Sequence, residues 1–292
     1  MDLYKIKKDN LEPIDRDPFK LERDIQSLVE NNMETLFDIE FVKSEFSLGE
    51  FRLDSLCFDH DSNSFVIVEY KKGSSYSVID QGYSYLSLML NNKSDFILEY
   101  NETKNKSLKR GDIDWSQSRI IFISPSFSHY QKNSVNFKDV PFELWEIKRF
   151  SNGTIGLDQH LSSSEESIQK IDNRKDSVIK KVGKEVTKHV EETPLGSINQ
   201  SLKDLYYELK EVVIDWDDMR IVPKRNYIGF WKGNKGKFYI GPQKKQLKLE
   251  IYSRISYSGD VQSVKNKFVL DDPKKLFRMI KNKYKEYYVY DM

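Results

Sequence analysis

Two apolar runs, "FRLDSLCF" (51–58) and "FVIVEYKK" (65–72), flank the turn-rich "DHDSN" (59–63). Such runs bounded by turn residues predict two strands of an antiparallel hairpin. A turn centred between Asp61 and Ser62 sets Asp54 opposite Glu69, Arg52 opposite Lys71, Leu56 opposite Ile67 and Phe58 opposite Phe65. Side chains alternate along a strand, so all eight share one face. One end of that face is apolar, and the other carries two acids, an Arg and a Lys. Directly opposed like charges have Cβ atoms about 5 Å apart and destabilise the pair. A divalent cation held by both carboxylates would offset that, and Mg²⁺ favours one or two carboxylates plus water and phosphate oxygens. Lys71 would point to the same place, where it can steady a nucleophilic water or stabilise charge on a phosphate. The hairpin would then floor a metal-dependent phosphodiester-cleaving site. The plainer reading makes Glu69 and Lys71 solvated residues at a strand end, with Asp54 unrelated. Spacing alone does not choose between them.

The flanks predict a mixed α/β domain. "PFKLERDIQSLVENNMETLF" repeats Leu21, Ile25, Leu28 and Val29 at helical spacing, and Pro18 suits its start. "SVIDQGYSYLSLMLNN" predicts a helix ending in an Asn pair. "DFILEY" and "RIIFISP" read as further buried strands, and "PFELWEIKRF" and "GTIGLDQHL" as a strand pair around "SNG". From Ser162 to Pro194 the chain is charged and poor in large apolar residues, which predicts a linker.

An acid, a connection of some 10–20 residues and then E-x-K at the end of an apolar strand resembles the PD-(D/E)XK nuclease superfamily. The order helix with Glu22, hairpin, then helix with Gln81 and Tyr85 in "DQGYSYL" is similar to its RecB-like and NucS-type branch. The match covers roughly residues 18–125 and thins toward 160. Leu53 stands where the superfamily often has Pro, which lowers the motif's specificity. The resemblance implies a restriction-endonuclease-like mixed sheet flanked by helices. It implies Asp54 and Glu69 as ligands of Mg²⁺ or Mn²⁺, with Glu22 completing the shell. Lys71 would be the catalytic lysine, Gln81 would orient the site or touch a phosphate, and Tyr85 would stand beside it. DNA is the implied substrate, cut by an endonuclease. A homodimer is a further expectation, because cutting two strands with one such site takes two protomers. A non-catalytic nucleic-acid-binding module and a regulatory protein on the same fold remain as alternatives.

The net charge of +1 conceals a division. From Pro194 on there are 20 basic and 12 acidic residues, +8; before it there are 27 and 34, −7. Two units are therefore expected: a nuclease-like domain over 1–161 and, after the linker at 162–194, a small basic α+β domain over 195–292. In the second, "NQSLKDLYYELKEVVIDW" predicts a helix, "YIGFWKGNKGKFYIGP" a hairpin, "KQLKLEIYSR" a strand and "DPKKLFRMIKNKYKEYY" a closing helix. The stretch from "DLYYELKE" through "YIGFWKG" to "QKKQLKLEIY" resembles a small C-terminal domain of unknown function found alone or behind nuclease-like domains in bacterial proteins. Aromatics among basics make Trp231, Lys244 and Lys245 candidates for nucleic-acid contact, with Arg52, Lys72 and Tyr85 in the front domain. The four His are scattered without metal spacing, and the lone Cys57 excludes an internal disulfide. No apolar leader opens the sequence and no run reaches the roughly 18 apolar residues of a membrane span, so a cytoplasmic protein is expected.

Overall fold

The structure is a computed structural model that describes residues 1–73, 77–172, 177–186, 188–214, 219–233, 235–257 and 260–270. The chain divides into two units, Met1–Lys188 and His189–Met292.

The first unit opens with a hairpin of β1 (Leu3–Lys7) and β2 (Asn10–Ile14). Next come α1 (Glu22–Glu30), α2 (Met33–Phe37), β3 (Glu40–Leu48), β4 (Phe51–Asp59), β5 (Ser64–Tyr70), α3 (Val78–Asn91) and α4 (Lys93–Lys104). Then follow β6 (Arg119–Ser124), α5 (His129–Ser134), β7 (Phe142–Arg149), β8 (Ile155–His160), α6 (Ile168–Ile171) and α7 (Val178–Gly183). Strands β3 to β8 form one six-stranded sheet in sequence order. It is mixed: β5, β6 and β7 run parallel, and the other neighbours are antiparallel.

Alternation along β4 and β5 sends side chains to two cores. Leu56, Phe58, Phe65 and Ile67 pack with Leu86, Met89, Phe96 and Tyr100 of α3 and α4. Cys57, Val66, Val68 and Tyr70 pack with Ile25, Val29, Met33 and Phe37 of α1 and α2. Every residue of β5 is buried, which is why its sequence is a continuous apolar run rather than an alternating one.

Several expectations are corrected. The helix over 18–37 starts only at Glu22 and breaks at Asn31–Asn32. The Leu21 amide donates to the Asp24 carboxylate, and the Asn32 amide side chain donates to the Leu28 carbonyl. "DFILEY" is not a strand but part of α4, because Phe96 and Tyr100, four apart, are its buried residues. The stretch expected as a linker, 162–194, lies on both units. Ile168, Val182 and Val186 are buried in the core of the first, and Pro194 is buried in the second. Asp139 accepts hydrogen bonds from the Ser167 hydroxyl and the Ile168 amide, which anchors α6.

In the second unit, α8 (Glu192–Leu195) and α9 (Gln200–Ile214) precede β9 (Met219–Pro223), β10 (Ile228–Lys232), β11 (Lys235–Gln243), β12 (Gln246–Tyr257) and β13 (Asp260–Leu270). The five strands form an antiparallel meander. Tyr206, Leu209 and Val213 of α9 pack on Phe230, Phe238, Ile240 and Leu249. The expected closing helix, with Leu276, Phe277, Ile280 and Tyr284, lies outside the described residues. Among the described residues, no helix is long and apolar enough to cross a membrane.

Gly82 lets α3 approach the start of β7. A Cβ there would lie 2.4 Å from Cζ of Phe142, a buried ring packed edge-on against Tyr83 and Phe122. Gly82→Ala should therefore destabilise by about 1–3 kcal/mol, despite a helix-propensity gain of about 1 kcal/mol. Urea denaturation checks this; a stabilised variant would mean that the Phe142 ring yields freely.

Candidate active site

The hairpin register is the one predicted, from Ser55 opposite Val68 to Asp59 opposite Ser64. Beyond Ser55 the ladder stops. Asp54 does not pair with Glu69 through the backbone; its carboxylate accepts the Tyr70 amide at 2.9 Å. On the other side, β4 pairs with β3 at Ser44–Ser55 and Phe46–Leu53, stepping over Glu45 and Asp54, where Glu45 adopts φ +52°. Leu53 and Leu56 enter the same core although flat alternation would part them. This irregularity turns the Asp54 carboxylate to the carboxyl end of β5.

Glu69 is 3% exposed. The Lys71 ammonium donates to its Oε1 at 2.8 Å, and the Gln81 amide donates to the same oxygen at 2.8 Å. Gln81 also donates to the Tyr85 hydroxyl at 3.1 Å, and Tyr85 donates to the Arg52 carbonyl at 3.4 Å. Glu69 Oε2 is buried and has no hydrogen-bond partner among the described residues, and Gln81 Oε1 is in the same condition. Asp54, Glu69, Lys71, Gln81 and Tyr85 are thus brought together, and the solvated strand-end reading fails for Glu69.

The remaining candidates sit differently. The Glu22 carboxylate accepts the Lys72 amide at 2.9 Å, and the Lys72 ammonium donates to the Lys20 carbonyl. Glu22 stands close enough to add to the negative field at Asp54 and Lys71. Yet no three His, Cys, Asp or Glu side chains among the described residues are grouped to hold a metal ion. Arg52 pairs with Glu45 at 2.7 Å rather than facing Lys71. In the second unit, Trp231 is buried, with Arg220 over its ring at 5.4 Å. Its ring is therefore not an open stacking platform. Lys244 and Lys245 are exposed at the β11–β12 turn.

A supporting layer escaped the sequence reading. Gln26 donates to the Asp54 carbonyl at 3.2 Å and to Glu30 at 3.0 Å. The Ser55 hydroxyl donates to Glu30 at 2.6 Å and lies 3.1 Å from the Tyr70 hydroxyl. The signal was available: Glu22, Gln26 and Glu30 recur every four residues, a polar stripe beside the buried Ile25–Val29 stripe.

No family model matches the chain. The chain belongs to the family of an uncharacterized protein of Haemophilus influenzae, with which it is 39% identical over 284 residues, 97% of this chain and 89% of that one. Two solved structures are similar over part of its length. One is a repair endonuclease from Pyrococcus abyssi, at 17% identity over 41% of this chain, with a TM-score of 0.23. The other is EndoMS in complex with dsDNA, at 16% identity over 50% of this chain, with a TM-score of 0.30. The match spans 44% and 64% of those chains, under two thirds of either. Neither likeness bears on the chemistry of this site.

Burial and the nearby Asp54 carboxylate push Glu69 up to about 7 from its ordinary 4.5, against the pull of Lys71. Burial also raises Asp54, while the Tyr70 amide and Lys71 hold it down. Lys71 is raised: burial works against its charge, and the Glu69 and Asp54 carboxylates outweigh that. The folded chain thus binds the Glu69 proton more tightly than the unfolded chain does. The stability this supplies is fully present below pH 4.5 and is lost as pH rises through about 7. Its size is on the order of 3 kcal/mol. Melting temperature of the metal-free protein should fall over that window, and Glu69→Gln should flatten the fall. An unchanged profile in the variant would remove Glu69 as its source.

Proposed function

We propose that the chain is a metal-dependent phosphodiester hydrolase that cuts DNA as an endonuclease. One observation carries the reading: a buried carboxylate oxygen without a partner among the described residues, Glu69 Oε2, beside a second raised carboxylate, Asp54, with an ammonium on the opposite oxygen. Two neighbouring carboxylates, one buried and one half-buried, fit a divalent cation whose other ligands are water and phosphate oxygens. Asp54 and Glu69 would hold Mg²⁺ or Mn²⁺. Such an ion supplies a bound water of lowered pKa and neutralises phosphate charge.

The residues divide the remaining work. Lys71 stays protonated at neutral pH, because its pKa is raised, so it acts as a donor and not as a base. It is placed to hold the attacking water or to meet charge developing on a phosphate oxygen. Gln81 fixes Glu69 Oε1, and Tyr85 fixes Gln81 against the Arg52 carbonyl. Gln26 and the Tyr70 amide fix Asp54 from behind. Glu22 contributes field rather than coordination in this scheme.

Cleavage of labelled single-stranded, duplex and flapped DNA, with Mg²⁺, Mn²⁺ or EDTA, tests the reading. Lys71→Ala and Asp54→Asn should lower the rate roughly 100-fold or more while the melting curve stays cooperative. Undiminished cutting by either variant would sink the assignment. Mg²⁺ should also raise the melting temperature above pH 7, because a ligand of the folded state stabilises it, and Asp54→Asn should abolish that rise. Salt-sensitive DNA binding without cleavage under any metal would instead favour a binding module.

A further inference from the structure

Beside the carboxylates, on the next stripe of α3, lies a groove of about 690 Å³. That volume is within the range of small-molecule sites, about 300–1,000 Å³. Asp80, Ser84, Ser87 and Asn91 line one wall, Phe51 at the β3–β4 turn forms another, and Ser177 at the start of α7 closes a third. Phe51 is 43% exposed, which leaves its ring open to a ligand. The Ser84 hydroxyl and the Asp80 carboxylate make no hydrogen bond among the described residues.

Charge decides what the groove can take. Among the described residues its lining holds one acid, Asp80, and no Lys or Arg. It offers an aromatic face, hydroxyls and an amide at short intervals. These groups suit a flat, uncharged, hydrogen-bonding ring. The position matters equally. Phe51 lies three residues before Asp54 on β4, about 10 Å along a strand, and the backbone carbonyl of Arg52 between them accepts a hydrogen bond from the Tyr85 hydroxyl of the site. The groove and the carboxylates are therefore neighbours on the scale of one extended nucleotide.

We propose that this groove holds a single unstacked nucleobase of the strand whose phosphate lies at Asp54 and Glu69. The inference rests on the hydrolase reading and sharpens its substrate class: a strand with an unpaired base beside the cut, not an intact duplex. Phe51 supplies the stacking face, and Asp80, Ser84 and Ser87 meet the base edge.

The test is binding in EDTA, read by fluorescence anisotropy, of a labelled oligonucleotide as single strand and as blunt duplex. Phe51→Ala and Ser84→Trp, which fills the groove, are compared with the wild type. One lost base–aromatic stack corresponds to roughly 5- to 100-fold weaker binding. Both variants should show that loss on the single strand, with duplex affinity unchanged and cooperative melting retained. Equal losses on both substrates, or no loss with Ser84→Trp, would overturn the proposal. Cleavage is scored separately. Selective loss of single-strand binding in a chain that cuts nothing would support the groove and defeat the hydrolase reading. Cutting that is indifferent to both variants would do the reverse.

Discussion

Glu69 follows the apolar run Phe65–Val68 one residue before the end of β5, in the centre of a sheet covered on both faces. A lone carboxylate there would be costly to ionise. Among the described residues its environment offsets that only in part: one oxygen receives both Lys71 and Gln81, and the other receives no hydrogen bond. The elements around it follow from supplying those partners. Strand β5 delivers Glu69 and Lys71 to one face, two residues apart. Helix α3 starts just beyond and brings Gln81 down onto the same oxygen. Strand β4 breaks its regular pairing so that Asp54 can take the Tyr70 amide. Helix α1 holds that break from behind through Gln26. The site thus sits where the β4–β5 ladder ends, and the freed backbone donor is used by a side chain.

Much of this was legible because turn chemistry and strand period agree. "DHDSN" places the turn, the period of two places the faces, and the register follows to the residue. Gln81 and Tyr85 were legible as an i, i+4 pair on one helix. What escaped had weaker local signals. "DFILEY" is an apolar run too short to separate a strand from a buried helix turn, and only its neighbours Leu86 and Phe65 decide. Strand β3, "EFVKSEFSL", buries Val42 and Phe46 across a local irregularity, which erases simple alternation. In α6 and α7 each turn carries few apolar side chains amid Lys, Glu and Asp, so composition read as solvent. Trp231 among lysines read as a platform, yet Arg220 lies over its ring.

The same comparison explains why three carboxylates were expected and two were brought together. A helical acid near a hairpin acid is a matter of spacing, whereas coordination is a matter of direction. Glu22 points at the Lys72 amide, a donor created by the chain leaving β5. From there it can shape the field without reaching the pair.

The packing of α7 against α3 has a consequence for dividing the protein. A chain ended at Leu161, where the charged stretch begins, would strip Ile168, Val182 and Val186 from the core. It would also leave the outer side of α3 bare along the helix that carries Gln81. Limited proteolysis or truncation aimed at separating the two units belongs after Lys188, and a shorter fragment that loses function would report a lost brace rather than a lost second unit.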